Sequence, residues 1–219
     1  MSIITLDSVV YRYGKANGAV VLDHVTASFD TGVIYAIAGR SGSGKSTMLS
    51  LMAGLDVPES GSVLFEGQDT RTLNLLAYRR TNAAVIYQDF SLFPLLTVLE
   101  NIMYPMSLCR VEKAAAKAEA RALAEKVQLP ETLWNRYPGE ISGGEQQRTA
   151  IARALTMNRK LILADEPTGN LDTENSENIM RLLVRLAHEE QCCVVVVTHD
   201  PTVADAADVR LSMRNGQLF

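Results

Sequence analysis

Cysteine, histidine and tryptophan are scarce in this 219-residue chain, at three, three and one. The cysteines, Cys109, Cys192 and Cys193, are too few and odd in number, which excludes a disulfide framework. They read as reduced, small hydrophobes packed in a cytosolic protein. A basic excess is also missing: 21 Lys+Arg stand against 25 Asp+Glu, a net charge of −4. That excludes a whole-protein positive field, and no nucleic-acid partner is expected. Long apolar runs are absent as well. The richest stretch, 92–109, is broken by Glu100, Asn101, Pro94 and Pro105, so no segment is expected to span a membrane unaided. The first residues carry neither a basic region nor an apolar core, so no secretory signal is expected. Internal repeats and low-complexity linkers are lacking too. What remains, 47% hydrophobic and 21% charged, is the composition of a folded domain, not a disordered or collagen-like chain.

The chain opens with apolar residues at alternate positions: Ile4 and Leu6, then Val9, Tyr11 and Tyr13. After a polar turn region at 14–18 come Val21, Val25, Ala27 and Phe29, which predicts a small antiparallel β section. Residues 33–38 are continuously apolar between Gly32 and Gly39, the pattern of a central parallel strand covered on both faces. A Gly/Ser loop follows, with a helix expected over 46–53. Two more buried strands are expected, 161–164 ending in Asp165-Glu166 and 193–197 ending in Thr198-His199. A helix at 176–190 between them implies a parallel crossover. Residues 112–127, rich in Ala, Glu and Lys, predict a helix, and another is expected from 142 to 155. Residues 210–218 read as a hairpin turning at Asn215-Gly216. The fold class expected is α/β: a P-loop core with a parallel sheet, an N-terminal antiparallel section and an inserted helical subdomain. The core would take 1–88 and 149–219 and the insertion about 89–148, all in one domain.

The first chemical signal is Gly39-Arg40-Ser41-Gly42-Ser43-Gly44-Lys45-Ser46, which fits G-x-x-x-x-G-K-[ST] at every fixed position. Glycines let successive N–H groups turn inward, and the helix that follows adds its positive end. Lys45 reaches the β- and γ-phosphates in such a loop, and the Ser46 hydroxyl binds Mg²⁺. A chance match somewhere in a chain of this composition has odds of about one in a hundred. Its place between a buried strand and a helix makes nucleotide binding the reading. Asp165, at the end of a core strand, suits the Mg²⁺ shell, and the adjacent Glu166 suits an attacking water. His199 alone is a weak candidate donor to a γ-phosphate oxygen. His24 and His188 read as surface or packing residues, and Cys192-Cys193 as strand packing.

Residues 141–148, Ile-Ser-Gly-Gly-Glu-Gln-Gln-Arg, resemble the LSGGQ signature of ATP-binding cassette (ABC) ATPases. Gln88 resembles the Q-loop glutamine, Asp165-Glu166-Pro167-Thr168 the Walker B region, Gly169-Asn170-Leu171-Asp172 the D-loop and His199 the switch histidine, all in family order. The resemblance covers essentially the whole chain. Two positions depart from it: Ile141 stands for Leu, and Glu145 for the usual Gln. Physically, Ser142-x-x-Glu145 is a capping box, which leaves the Gly143-Gly144 backbone and a helix N-terminus to meet an anion.

The resemblance implies that this anion is the γ-phosphate of ATP bound to a second copy, so that two chains sandwich two ATPs head to tail. Tyr13 would stack on adenine, with Tyr11 as competitor. The loop amides 39–47, with Lys45, Ser46 and Thr47, would hold phosphates and Mg²⁺. Gln88 would sense the γ-phosphate, join the Mg²⁺ shell with Ser46 and Asp165, and link to the insertion. Ser142, Gly143, Gly144 and Glu145 would meet the second nucleotide and Asp172 the opposite subunit. Glu166, His199, Gln88 and Lys45 would be catalytic. Residues 163–172 and 51–56 further resemble the bacterial group of macrolide exporters, lipoprotein-releasing complexes and antimicrobial-peptide pumps. That implies an ATPase on the inner face of a bacterial cell membrane, working with a separate permease.

Competing readings are a cell-division or peptide-sensing ATPase that moves no substrate, a soluble ABC ATPase of repair or translation, and a small-molecule P-loop kinase. The apolar run 90–99 reads equally as local packing or as a groove for a helix of the permease. No attached regulatory domain is expected at either end.

Overall fold

The structure is a computed structural model that describes residues 2–14 and 18–219, without the side chain of residue 158. The turn read at 14–18 therefore lies mostly outside the described residues. Strands β1 (Ser2–Arg12) and β2 (Val20–Asp30) form an antiparallel pair. The change in parity between Leu6 and Val9 that the sequence shows is a β-bulge: the register shifts there, and Ser8 takes φ 48°. An extra residue re-aims every following side chain, so Ile4, Leu6, Val9 and Tyr11 all face the core. In β2 a left-handed His24 (φ 50°) has a similar effect, and Leu22 rather than Val21 fills the core.

Next in the chain come β3 (Ile34–Ala38), α1 (Lys45–Met52), β4 (Ser60–Phe65), β5 (Gln68–Asp69), α2 (Leu75–Thr81) and β6 (Ala83–Ile86). The elements from β4 to β6 are not foreseen in the sequence. Next are α3 (Val98–Leu108), α4 (Lys113–Lys126) and α5 (Gly143–Leu155), with α5 running unbroken through residue 148. The last third holds β7 (Leu161–Asp165), α6 (Thr173–His188), β8 (Cys193–Thr198), α7 (Pro201–Asp205), β9 (Val209–Arg214) and β10 (Gln217–Leu218). One sheet is ordered β2-β1-β4-β5, the other β10-β9-β3-β8-β7-β6. From β9 to β6 the second sheet is parallel, and the Asn215-Gly216 turn sends β10 back along β9.

Two cores flank the parallel sheet, and strand alternation explains its unbroken apolar runs. Ile162, Ala164, Val194 and Val196 face the core built with α3–α6, whereas Leu161, Leu163, Val195 and Val197 face α1 and the antiparallel sheet. Cys192 and Cys193 divide the same way, one to each core, and both are free. Burial pushes the Cys192 thiol up to about 11 and the Cys193 thiol up to about 12, so both are inert packing groups. The apolar run at 90–99 is split in use. Val98 and Leu99 are buried in the first core, and Phe93 lies against Tyr104 with ring centroids 4.4 Å apart. Leu95 stands 87% exposed.

Candidate functional site

The carboxyl ends of four adjacent parallel strands, β3, β8, β7 and β6, open into one cavity of about 980 Å³. This is where an open α/β sheet places ligands. Its wall begins with the loop after β3. Gly44 takes φ 108°, and a Cβ there would stand 2.7 Å from the Val21 carbonyl and 2.9 Å from Leu22 Cδ2, so only glycine can close the turn into α1. The Lys45 ammonium donates to the Gly39 and Arg40 carbonyls at 2.8 and 3.1 Å, lying along the loop it serves.

Ser46, the second residue of α1, donates its hydroxyl to Asp165 Oδ1 at 3.1 Å, joining the two residues read as a metal pair. Burial pushes the Asp165 carboxyl up from its ordinary value and the Ser46 hydrogen bond pulls it back. Among the described residues no group of three or more His, Cys, Asp and Glu could hold a metal alone. Hydroxyl and carboxylate oxygens in contact fit Mg²⁺, which usually shares its shell with phosphate and water. Glu166 follows in a left-handed turn (φ 47°) and is held twice by His199: the backbone N–H donates at 3.3 Å, and ring Nδ1 lies 2.8 Å from Glu166 Oε1. His199, a weak candidate in sequence, is thus the residue that fixes the Glu166 carboxylate. With the Nδ1 proton directed at the carboxylate, Nε2 can donate to a phosphate oxygen only when it too carries a proton.

The two candidate tyrosines separate clearly. Tyr11 is buried and hydrogen-bonded to Asp56, which with burial pushes its hydroxyl up to about 12. Tyr13 is 60% exposed at the cavity rim, edge-on to Tyr11, with its hydroxyl 2.9 Å from Thr47 Oγ1. Arg40, Ser41 and Gly42 also line the cavity. Ser43 is tucked behind, its hydroxyl buried without a hydrogen-bond partner among the described residues.

Gln88 lines the cavity too, but its side chain is bonded to Asn170 and not to Ser46 or Asp165. Residues 142–145 and Asp172 do not line it. Ser142 and Glu145 form the capping box read from sequence. Glu145 Oε2 accepts from the Ser142 N–H at 2.7 Å and from its hydroxyl at 2.8 Å. The Asp172 carboxylate caps α6, and hydrogen bonds from the Asn175 backbone and side chain hold it below the usual carboxylate range. Sequence reasoning gave no role to Asn170, Tyr87 or Asp89, all of which line the cavity. Adjacency to Gln88 was the available signal for the last two. Asn170 lies in the segment that resembles the D-loop, but nothing local names its partner, which is 82 residues away.

A second groove of about 980 Å³ lies between α6 and α7 and shares Glu166 and His199 with the first. The phosphate loop is absent from it, so the candidate chemistry belongs to the first cavity.

Comparison with known proteins agrees with this geometry. Residues 22–169 match the ABC transporter family. The chain is 42% identical over 201 residues to the lipoprotein-releasing system ATP-binding protein LolD of Syntrophotalea carbinolica, covering 90% of this chain and 88% of that protein. It is 36% identical over 216 residues to the uncharacterized ABC transporter ATP-binding protein YclH of Bacillus subtilis, covering 99% and 95%. Among solved structures, it resembles the dimeric bacterial ABC transporter cassette MJ0796 with a TM-score of 0.89 at 37% identity, covering 98% of this chain and 96% of that one. The same cassette in a post-hydrolysis state with ADP and phosphate gives 0.89 at 36% identity, with the same coverage. The chain therefore belongs to the ABC transporter family, as its ATP-binding, ATP-hydrolysing cassette.

Proposed function

We propose that two copies of this chain close head to tail around two ATP molecules and drive a separate membrane permease in export, lipoprotein release or mechanotransmission. The observation that carries this reading is the position of residues 142–145. They form a glycine-rich helix start of the kind that binds anions, yet lie outside the chain's own phosphate cavity. A second copy supplies them in a two-fold pairing, and the MJ0796 cassette is itself dimeric. LolD relatives favour the lipoprotein-release branch.

In this reading Tyr13 stacks on adenine, and the amides of the loop and of the first turn of α1 hold the phosphates. Lys45 releases the Gly39 and Arg40 carbonyls to take phosphate oxygens. Ser46 and Asp165 would hold Mg²⁺, with Gln88 beside them, and the ion would supply neutralisation of phosphate charge there. Glu166 accepts a proton from the attacking water, and His199 keeps its carboxylate in line. ATP binding then closes the pair, and hydrolysis releases it.

Replacing Glu166 by Gln tests both halves. Hydrolysis should fall about 10²–10⁴-fold, the worth of a general base, while ATP binding persists. Light scattering should show dimers with ATP and monomers without it. Turnover at the normal rate would remove Glu166 as the base, and monomers at high concentration with ATP would count against the sandwich. Used as bait on detergent-solubilised membranes, the same variant should capture a permease with a large extracytoplasmic domain. A permease of another architecture would discard the mechanotransmission branch.

A further inference from the structure

Gln88 is seated on the turn that follows Glu166. Asn170 Nδ2 donates to the Gln88 carbonyl at 2.9 Å, and Asn170 Oδ1 accepts from Gln88 Nε2 at 3.3 Å. Each bond fixes the sense of the other. A backbone carbonyl only accepts, so it takes the Asn170 NH₂, and the Asn170 oxygen left facing Gln88 can only be met by an NH₂. The floor of the seat is Gly169, where a Cβ would stand 2.7 Å from Gln88 Nε2 and 3.0 Å from its Cδ.

The turn carrying this seat is braced from two sides. Internally, the Gly169 N–H donates to the Glu166 carbonyl at 3.1 Å and the Leu171 N–H to Thr168 at 3.0 Å. From α5, the buried amide of Gln147 donates to the Pro167 carbonyl at 2.8 Å. Downstream of Gln88, Phe90 and Ser91 turn the chain with φ 60° and 45°. Their carbonyls accept from Arg153 at 3.0 and 2.7 Å. Gln88 is therefore gripped both at its side chain and just beyond its backbone.

We infer that Asn170 is a positioning residue for the nucleotide site: by holding the NH₂ end of Gln88, it leaves the amide oxygen as the end presented to the Mg²⁺–nucleotide. A hard cation takes a carbonyl oxygen and is repelled by an NH₂ group, and an untethered glutamine amide offers either end. This rests on the place beside Mg²⁺ proposed above for Gln88. It also ties the cavity to the turn that leads into Asp172, so a shift of that turn re-aims Gln88.

The test measures affinity for a fluorescent, non-hydrolysable ATP analogue, once with Mg²⁺ and once with a chelator. Asn170→Ala should lose about fivefold of the Mg²⁺-dependent gain in affinity, the worth of one hydrogen bond. Its Mg²⁺-free affinity should hold, because Tyr13, Lys45 and the loop amides are untouched. Gln88→Ala should lose at least as much, and the double variant no more than Gln88→Ala alone. Additive losses in the double variant, or a full Mg²⁺ gain in Asn170→Ala while Gln88→Ala loses it, would overturn the positioning role. A full gain in Gln88→Ala would instead overturn the placement of Gln88 itself, and the inference with it.

Discussion

Helices α1 and α5 both carry glycine at their starts, Gly44 just before α1 and Gly143-Gly144 as the first residues of α5, and they begin in opposite ways. Among the described residues, six of the seven α-helices are capped by a side-chain oxygen: Asn74, Thr97, Glu112, Ser142, Asp172 and Asp200. Only α1 has none; Gly44 holds its N-cap place and its first turn carries no acid. The first N–H groups of a helix lack partners within it, and a cap normally satisfies them. In α1 those donors are left for an external anion, with Lys45 beside them. In α5 Ser142 and Glu145 already serve the helix end, and Glu145 brings a negative charge to it. The first helix start is therefore built for a ligand at the expense of its own capping. The second is stable by itself, and in the proposed pair it would meet an anion against a carboxylate.

Removing the cation from the uncapped start should produce the largest effect. Lys45→Ala deletes the one ammonium in the loop, and hydrolysis should drop about 10²–10³-fold, as when a preorganised donor is lost from a reacting anion. Because Lys45 bonds only loop carbonyls among the described residues, thermal stability should change little. Steady-state hydrolysis alongside thermal unfolding separates the two. A variant with unchanged turnover would break the contrast at its stronger end.

The capped start should respond in the reverse sense. Ser142→Ala removes the oxygen that accepts from the Glu145 N–H. Such a loss costs about 1 kcal/mol, or roughly 2–4 °C in melting temperature for a domain of this size. The loss should appear without any nucleotide present. A melting curve matching the parent's would mean that the box contributes nothing to α5.

How much of this was legible in the sequence depends on range. The phosphate loop and the Ser142–Glu145 box are local patterns, and both appear where their spacing puts them. The apolar runs 33–38, 161–164 and 193–197 became central strands because alternate side chains feed two separate cores. Short elements such as β5 and β6 passed unseen, since two to four residues carry no measurable period. In β2, apolar residues at both 21 and 22 left the inward phase undecided until the His24 bulge is known. The partnerships that organise the site were the least legible. Glu166 with His199, Gln88 with Asn170 and Gln147 with Pro167 join residues 33, 82 and 20 positions apart, and topology alone brings them together.

The smallest effect sharpens the comparison most, because it has opposite signs in two states. Glu145→Gln retains an acceptor for the Ser142 N–H and hydroxyl, so the capping box survives. What it removes is a negative charge at a positive helix end, worth about 0.3–1 kcal/mol. The free chain should therefore melt slightly lower. In the ATP-bound pair that charge would oppose the incoming phosphate at both sites, so its removal should tighten the dimer about three- to thirtyfold at low salt. Measured by light scattering in the Glu166→Gln background, the gain should shrink as ionic strength rises, because the carboxylate is partly solvated. A looser dimer would show that the Glu145 carboxylate turns away from the nucleotide. The two helix starts would then differ in stability alone, and not in what they ask of an anion.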